Sequence, residues 1–367
     1  PATPSACGWQ INPPAALLLE KNDEKNLNFN THLALDFDLS TMLSRLPAGT
    51  GRPERGTLRL SLFGAYSYLS AENAIFCPTW VWAQGQAYRG EHKTEGWLGN
   101  ARLTYTGSWG EHRLTATLSG EYQKSNRSGF WTLVKGFTTN IFGYDNLGAA
   151  STIPYGGTGS GTADPSLASV MGGLTYDFAG RYTLNANLRA DGSSMFGDNN
   201  KWGYFPSLSA VWDIAAERFF APWRRAVGSF KLRVGYGLSG NLGGIDSYNS
   251  LNLLRPQGTV SVGGTPTTTM GQYRNANPDL KWETRSTFNI GTDLCFWNNR
   301  VVLTAEYYYS KTTDMLYQYD VPVPPFTFSK MLANLGSMSN QGFEMGVGIT
   351  AIAQRDVELN INVNLSW

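Results

Sequence analysis

Three histidines, three cysteines and one oxygen-rich turn are the residues of this 367-residue chain that could serve a metal or a nucleophile. Their spacing argues against it. His32, His92 and His112 stand alone, and no H-E-x-x-H pair brings two imidazoles to one helix face, so each reads as a structural or solvated ring. Cys7, Cys77 and Cys295 form no C-x-x-C pair, and an odd set suits neither a zinc site nor a disulfide framework. Cys7 and Cys77 both fall in stretches read as outside loops, where they could pair, and the unpaired state is the expectation. Asp191, Asp198, Asn199 and Asn200 gather oxygen ligands in a short span. The spacing is not that of a calcium-binding EF-hand, and Asp, Asn and Gly are what a tight loop requires, so a loop tip is expected and no metal. Gly156 to Thr162 is glycine-rich but lacks the lysine of a phosphate loop, and no G-x-S-x-G elbow occurs. No catalytic residue and no cofactor are expected.

Binding chemistry is left. Trp80, Trp82, Tyr88, Trp131 and Tyr144 lie in stretches read as outside loops, where aromatic faces stack on sugar rings or peptide side chains. Each could instead pack one loop on another, so they are offered as a group. A second set, Thr115, Glu121, Asn185, Asn187, Arg189 and Asn360, is polar and recurs on one side of alternating segments.

Those segments are the elements that must position both sets. From Arg181 to Asp191 the chain alternates without a break: Tyr182, Leu184, Ala186, Leu188 and Ala190 on one face, Thr183, Asn185, Asn187, Arg189 and Asp191 on the other. Leu27 to Leu39, Leu58 to Tyr68, Leu114 to Tyr122 and Val357 to Leu365 repeat the pattern. About twelve strands of about 10 to 13 residues are expected, longer than the five or six usual in a soluble sheet. Short turns, such as Gly110-Glu111, Ala179-Gly180 and Asn298-Asn299, alternate with long loops, the asymmetry that short periplasmic turns and long extracellular loops produce. Trp109, Trp202, Tyr204, Trp212, Trp282, Trp297 and Tyr307 to Tyr309 fall near strand ends, where interface girdles belong.

Composition fits this reading. Apolar residues make up 41% and mean hydropathy is −0.28, and no run of about 18 apolar residues exists, so a transmembrane helix is excluded. A transmembrane strand is not excluded, since it needs only about 9 to 11 residues and half of them are polar. A net charge of +1 supplies no field to recruit nucleic acid. The fold class expected is all-β, an antiparallel transmembrane β-barrel segment. Residues 1–367 are expected to form one barrel domain, multi-pass in outer-membrane lipid. No signal precedes Pro1 and a strand is still running at Trp367, so the chain reads as an internal piece.

Several ordered stretches resemble one family. They are RADGSSMFGDNNKWGYFPSLSAVW (Arg189 to Trp212), SFKLRVGYGLSGN (Ser229 to Asn241), the run from NPDLKWE to TTDMLY (Asn277 to Tyr317) and LANLGSMSNQGFEM (Leu332 to Met345). TWVWAQGQAYR and VKGFTTNIFGYDNLGAAS add to them. Together they are similar to the SusC/RagA family of TonB-dependent outer-membrane transporters of Bacteroidetes-type bacteria. The resemblance implies energised uptake of an oligosaccharide or oligopeptide through a barrel of roughly 22 strands. It also implies a SusD-like surface lipoprotein over the outside loops, and TonB acting through a plug. Against that family the signal peptide, plug and final strands are absent. Three rivals make different demands: a passive porin or surface adhesin needs no plug, a hydrolase needs a Ser or Asp with a His partner at one rim, and a soluble β-rich binding protein needs no membrane.

Overall fold

The computed structural model describes residues 18–43, 55–197 and 199–367. Its strands are β1 (Lys21–Asp38), β2 (Arg55–Cys77), β3 (Gln86–Trp109), β4 (His112–Phe137), β5 (Ala150–Thr152), β6 (Thr158–Ala163), β7 (Ser166–Phe178), β8 (Tyr182–Ser193) and β9 (Trp202–Asp213). They continue with β10 (Val227–Asn241), β11 (Leu254–Val262), β12 (Thr265–Gln272), β13 (Glu283–Phe296), β14 (Val301–Thr313), β15 (Leu316–Asp320), β16 (Lys330–Asn334), β17 (Ser337–Ala353) and β18 (Glu358–Ser366). One antiparallel path runs β1-β2-β3-β4-β7-β8-β9-β10-β13-β14-β17-β18, with β5 and β6 added on β4, while β11-β12 and β15-β16 are separate hairpins. No helix is long and apolar enough to cross a membrane.

Register converts the period-two pattern into two surfaces. One row of directly paired residues reads Leu58, Tyr105, Ala116, Leu174, Ala186, Leu208, Tyr236, Phe288 and Tyr309 from β2 to β14. The adjacent row, one residue along each strand, reads Thr57, Thr106, Thr115, Thr175, Asn185, Ser209, Gly235, Asn289 and Tyr308. A slip of one residue would exchange these faces, and across these rows none occurs. On the apolar face Leu118, Leu174, Leu188 and Leu208 are each more than half exposed, so the described residues leave this row largely uncovered.

The two ends of the sheet differ. At one end β3-β4 turn at Gly110-Glu111, β7-β8 at 179–181 and β13-β14 at 297–300. Ala179 and Gly180 both have positive φ (57° and 64°), as do Asn298 and Asn299 (55° and 64°), the backbone that matches strand twist in a tight hairpin. At the other end lie 78–85, 138–165, 194–201, 242–282 and 314–336, which carry the two extra hairpins.

Strands are longer than alternation suggested. The stretch from Ser70 to Thr94 reads as irregular in sequence, yet β2 continues to Cys77 and β3 begins at Gln86; likewise β4 runs past Lys124 to Phe137. Beyond Trp97 the apolar-face positions of β3 become Glu95, Lys93, Glu91 and Arg89. The backbone ladder persists there while both faces are polar, so the sequence loses its period and the sheet does not.

Candidate functional site

All six polar residues singled out from the sequence lie on one face, and each is held by neighbours on that face. Thr115 Oγ1 lies 3.4 Å from Thr106 Oγ1; Glu121 accepts from Asn100 (3.3 Å) and Gln123 (2.8 Å). Asn185 accepts from Thr175 Oγ1 (2.8 Å) and donates to Ser209 Oγ (3.3 Å), and Asn187 donates to Ser207 Oγ (3.5 Å). Arg189 Nε donates to the Asp191 carboxylate at 2.8 Å and its Nη2 to Ser169 Oγ at 3.0 Å. Asn360 accepts from Thr350 (2.9 Å) and donates to Glu358 (2.7 Å).

Sequence reading missed the strongest charge cluster on this face. Arg233 of β10 reaches Asp293 of β13 (2.8 Å) and Glu306 of β14 (3.2 Å), and Asn289 also donates to Glu306 (3.3 Å). Its signal was available, because all four occupy the polar parity of their strands. What was not visible is that four residues up to Glu306 converge across three strands.

The second structure of interest is a small core at the long-loop end. Phe196, Phe205, Leu280 and Trp282 are 2%, 7%, 0% and 7% exposed and pack together, with Leu167, Leu242, Ile245, Leu316 and Leu332 around them. Ring centroids of Phe196 and Phe205 lie 5.0 and 5.5 Å from that of Trp282. Trp282 was expected in an aromatic girdle; the structure buries it here instead, with its Nε1 donating to Lys201 O at 3.1 Å. Tyr307 to Tyr309, also expected near a strand end, lie in the middle of β14, with Tyr308 on the polar face and Tyr309 in the row of Leu208. Glycine leaves the room needed: a Cβ on Gly203 would sit 2.5 Å from Phe205 Cζ, and one on Gly197 only 1.8 Å from Pro278 O.

Asparagines close this core. Asn275, 6% exposed, donates to Phe328 O (2.6 Å) and Lys330 O (3.0 Å) and accepts from the Thr327 and Phe328 amides (3.2 Å each). Asn277 donates to Leu332 O (2.9 Å), Asn200 to Asp279 O (3.2 Å), and Asn334 to Lys281 O (2.7 Å) and Asp314 O (2.9 Å). Loops 194–201, 242–282 and 314–336 are therefore one body. The oxygen-rich turn is accounted for in the same way: Asp191 pairs with Arg189 and Asn200 with Asp279, while Asp198 lies outside the described residues. Among the described residues no group of His, Cys, Asp and Glu is arranged to hold a metal. Cys77, the last residue of β2 and not in a loop, and Cys295 are free thiols; Cys7 lies outside the described residues.

The five aromatics do not form one surface. Trp80 is exposed in 78–85, and Trp82 lies under the Lys135 ammonium (5.6 Å). Tyr144 donates its hydroxyl to Asp23 and packs on the buried cluster of Phe76, Ala87, Val134 and Phe137. Tyr88 and Trp131, expected in loops, are strand residues of β3 and β4, placed there because those strands outrun their alternation. Between wall and loops instead lies a pocket of about 860 Å³, lined among others by His32, Ser67, Gln123, Arg127, Asp246 and Tyr248. Hydroxyl, amide, carboxylate and cationic groups share this cavity with apolar walls, a mix that can orient a ligand by hydrogen bonds. Its walls come from residues more than two hundred positions apart, which no local motif announces.

A family model described as TonB dependent receptor-like, beta-barrel matches residues 11–367. TonB-dependent receptor P26 of Formosa agariphila is 34% identical over 71% of this chain and 26% of its own length. TonB-dependent receptor P3 of the same organism is 30% identical over 84% of this chain and 32% of its own. TonB-dependent receptor SusC of Bacteroides thetaiotaomicron is 32% identical over 55% of this chain and 20% of its own. The chain thus spans no more than about a third of these relatives. Among solved structures, the RagAB peptide transporter superposes with a TM-score of 0.80 at 21% identity, over 97% of this chain and 37% of that one, which speaks to the fold.

Proposed function

The chain belongs to the TonB-dependent receptor β-barrel family, and from that premise we propose that it is a wall section of an outer-membrane transporter. That transporter imports a large nutrient, an oligosaccharide or oligopeptide, on energy relayed by TonB. Its place is the outer membrane of a Gram-negative bacterium. The relatives are receptors by name and not enzymes, in keeping with a chain whose residues bind and position.

The observation that carries this reading is the register: one apolar and one polar row run side by side from β2 to β14. The apolar row faces lipid. The polar row, with Thr115, Glu121, Asn185, Asn187 and Arg189, lines a wet lumen and touches the plug, and Asn360 continues it on β18. The short-turn end is periplasmic and the loops are outside. From Trp202 to Trp212 the strand rises about 33 Å at roughly 3.3 Å per residue, which is about 25 Å across the membrane at a tilt of about 40° and matches the apolar band of outer-membrane barrels.

On this reading residues 1–367 form a single barrel domain, completed by further strands and a plug of the whole protein. The loop-end pocket contributes to substrate contact, joined by Trp131 and Tyr88 on the upper wall and by exposed Trp80, with Trp82 and Tyr144 as loop packing. A SusD-like lipoprotein covers the loops, and the loop core gives it a firm seat. No step of bond making is assigned.

Uptake of labelled oligosaccharides and oligopeptides by cells carrying the full-length protein tests this. Saturable uptake that stops when TonB is removed is expected. Uptake that persists without TonB would place the protein among passive porins, and surface binding without uptake among adhesins.

A further inference from the structure

One short-turn-end connection is unlike the tight hairpins. Between β9 and β10 the chain makes two 3₁₀ turns, Ile214–Ala216 and Arg218–Trp223. Ile214, Ala215 and Phe220 are buried against Trp212, Val227, Phe230 and Leu232. Trp212, Phe230 and Leu232 are apolar-face residues, so the segment is folded back on the outside of the wall and does not hang beneath the lumen.

Its polar groups divide into two sets. Glu217 is tied down, accepting from Tyr182 Oη (2.5 Å), Trp212 Nε1 (3.2 Å) and Arg181 Nη1 (3.1 Å). Arg224 is tied down too, donating to the carbonyls of Ala215 (2.8 Å), Ala216 (3.0 Å) and Glu217 (3.1 Å). Arg218 and Arg225 are exposed and make no ion pair among the described residues. Beside them Phe219 and Trp223 are 65% and 58% exposed. Phe219 meets Trp212 edge-on (6.5 Å), and the row continues through Tyr182 (6.4 Å) to Phe178 (6.3 Å).

We infer that this segment is a docking surface for anionic phospholipid of the periplasmic leaflet. Phe219 and Trp223 enter the acyl boundary, and Arg218 and Arg225 take the phosphate. Two observations choose the occupant. The segment packs on the apolar face of the wall at the end of an aromatic row, the side that the orientation above gives to lipid. Its free charges are both positive, because its one carboxylate is consumed internally. The inference rests on the orientation proposed above.

The test uses purified full-length protein in detergent, checked for folding by its resistance to SDS at room temperature. Palmitoyl-oleoyl phosphatidylglycerol or phosphatidylcholine is added and bound lipid is counted by native mass spectrometry. The Arg218→Ala/Arg225→Ala variant is expected to bind phosphatidylglycerol about thirtyfold more weakly, two arginines acting at the surface, with phosphatidylcholine unchanged. Arg218→Lys/Arg225→Lys, which keeps the charge, should restore it. Equal phosphatidylglycerol binding by wild type and the alanine variant overturns the inference. So does displacement of the lipid by inorganic phosphate, which would mean a bare anion site. Neither substrate nor TonB enters the readout, so failure of transport and failure of this site are told apart.

Discussion

The wall and the loop core use the same residue types for opposite ends. In the wall, Leu208 and Tyr236 are 54% and 52% exposed on the apolar face, the side that the proposed orientation gives to lipid. In the loop core, Phe205, on the polar parity three residues before Leu208, points to the other side and is buried against Trp282. A barrel wall is solvated by two media and needs no interior of its own. Loops of dozens of residues do, and here they build one from aromatics at the mouth of the polar face. The difference teaches that stability in this fold is local: the wall rests on register and lipid, the loops on a miniature core.

The sharpest way to break that contrast is to empty the core. Trp282→Ala in the full-length protein should cost about 3–5 kcal/mol, the usual range for a buried aromatic. Hydrogen exchange should then speed up in loops 194–201, 242–282 and 314–336 and leave β7 to β9 protected; uniform loss would mean that wall and loops unfold together. Next in size is Leu208→Arg, expected to cost about 2–4 kcal/mol near the middle of the lipid face, read as lower thermal resistance of the extracted barrel. Ser209→Arg, one residue along on the polar face, should be near neutral. Asn275→Ala should cost about 1–3 kcal/mol by removing its buried amide from the partly buried backbone groups of Phe328 and Lys330, seen as faster exchange confined to 325–332.

How much of this could be read from sequence follows the same division. Period two marked the wall residue by residue, since lipid and water impose it on Tyr182 to Asp191 directly. It stopped at Trp97 and Lys124 because strands that leave the membrane no longer have two media to sort their side chains. The loop core was illegible for another reason: Phe196, Phe205, Leu280 and Trp282 come from three segments, and none of them alone announces a shared core. Yet RADGSSMFGDNN, NPDLKW and LANLG, quoted for their family likeness, are the stretches that meet there. The likeness was pointing at a packed body without revealing it.

The smallest effect concerns the outer face of the lower rim. The Tyr182 hydroxyl and the Trp212 indole, with Arg181, hold the Glu217 carboxyl below its ordinary range despite burial. A carboxylate depressed in the folded state stabilises it above the unfolded value of about 4.3 and loses that contribution as pH falls through the lowered value. Thermal stability should therefore drop on acidification below about pH 4.3, and Glu217→Gln should flatten that slope while lowering stability at neutral pH.

The central claim is that adjacent residues of one strand see lipid and water. It is tested most directly by cysteine labelling in membranes of the full-length protein, with Cys7, Cys77 and Cys295 replaced by serine. Ser209→Cys should react with a water-soluble maleimide and Leu208→Cys only with a lipid-soluble one. Equal reaction of both positions with the water-soluble reagent would contradict the account.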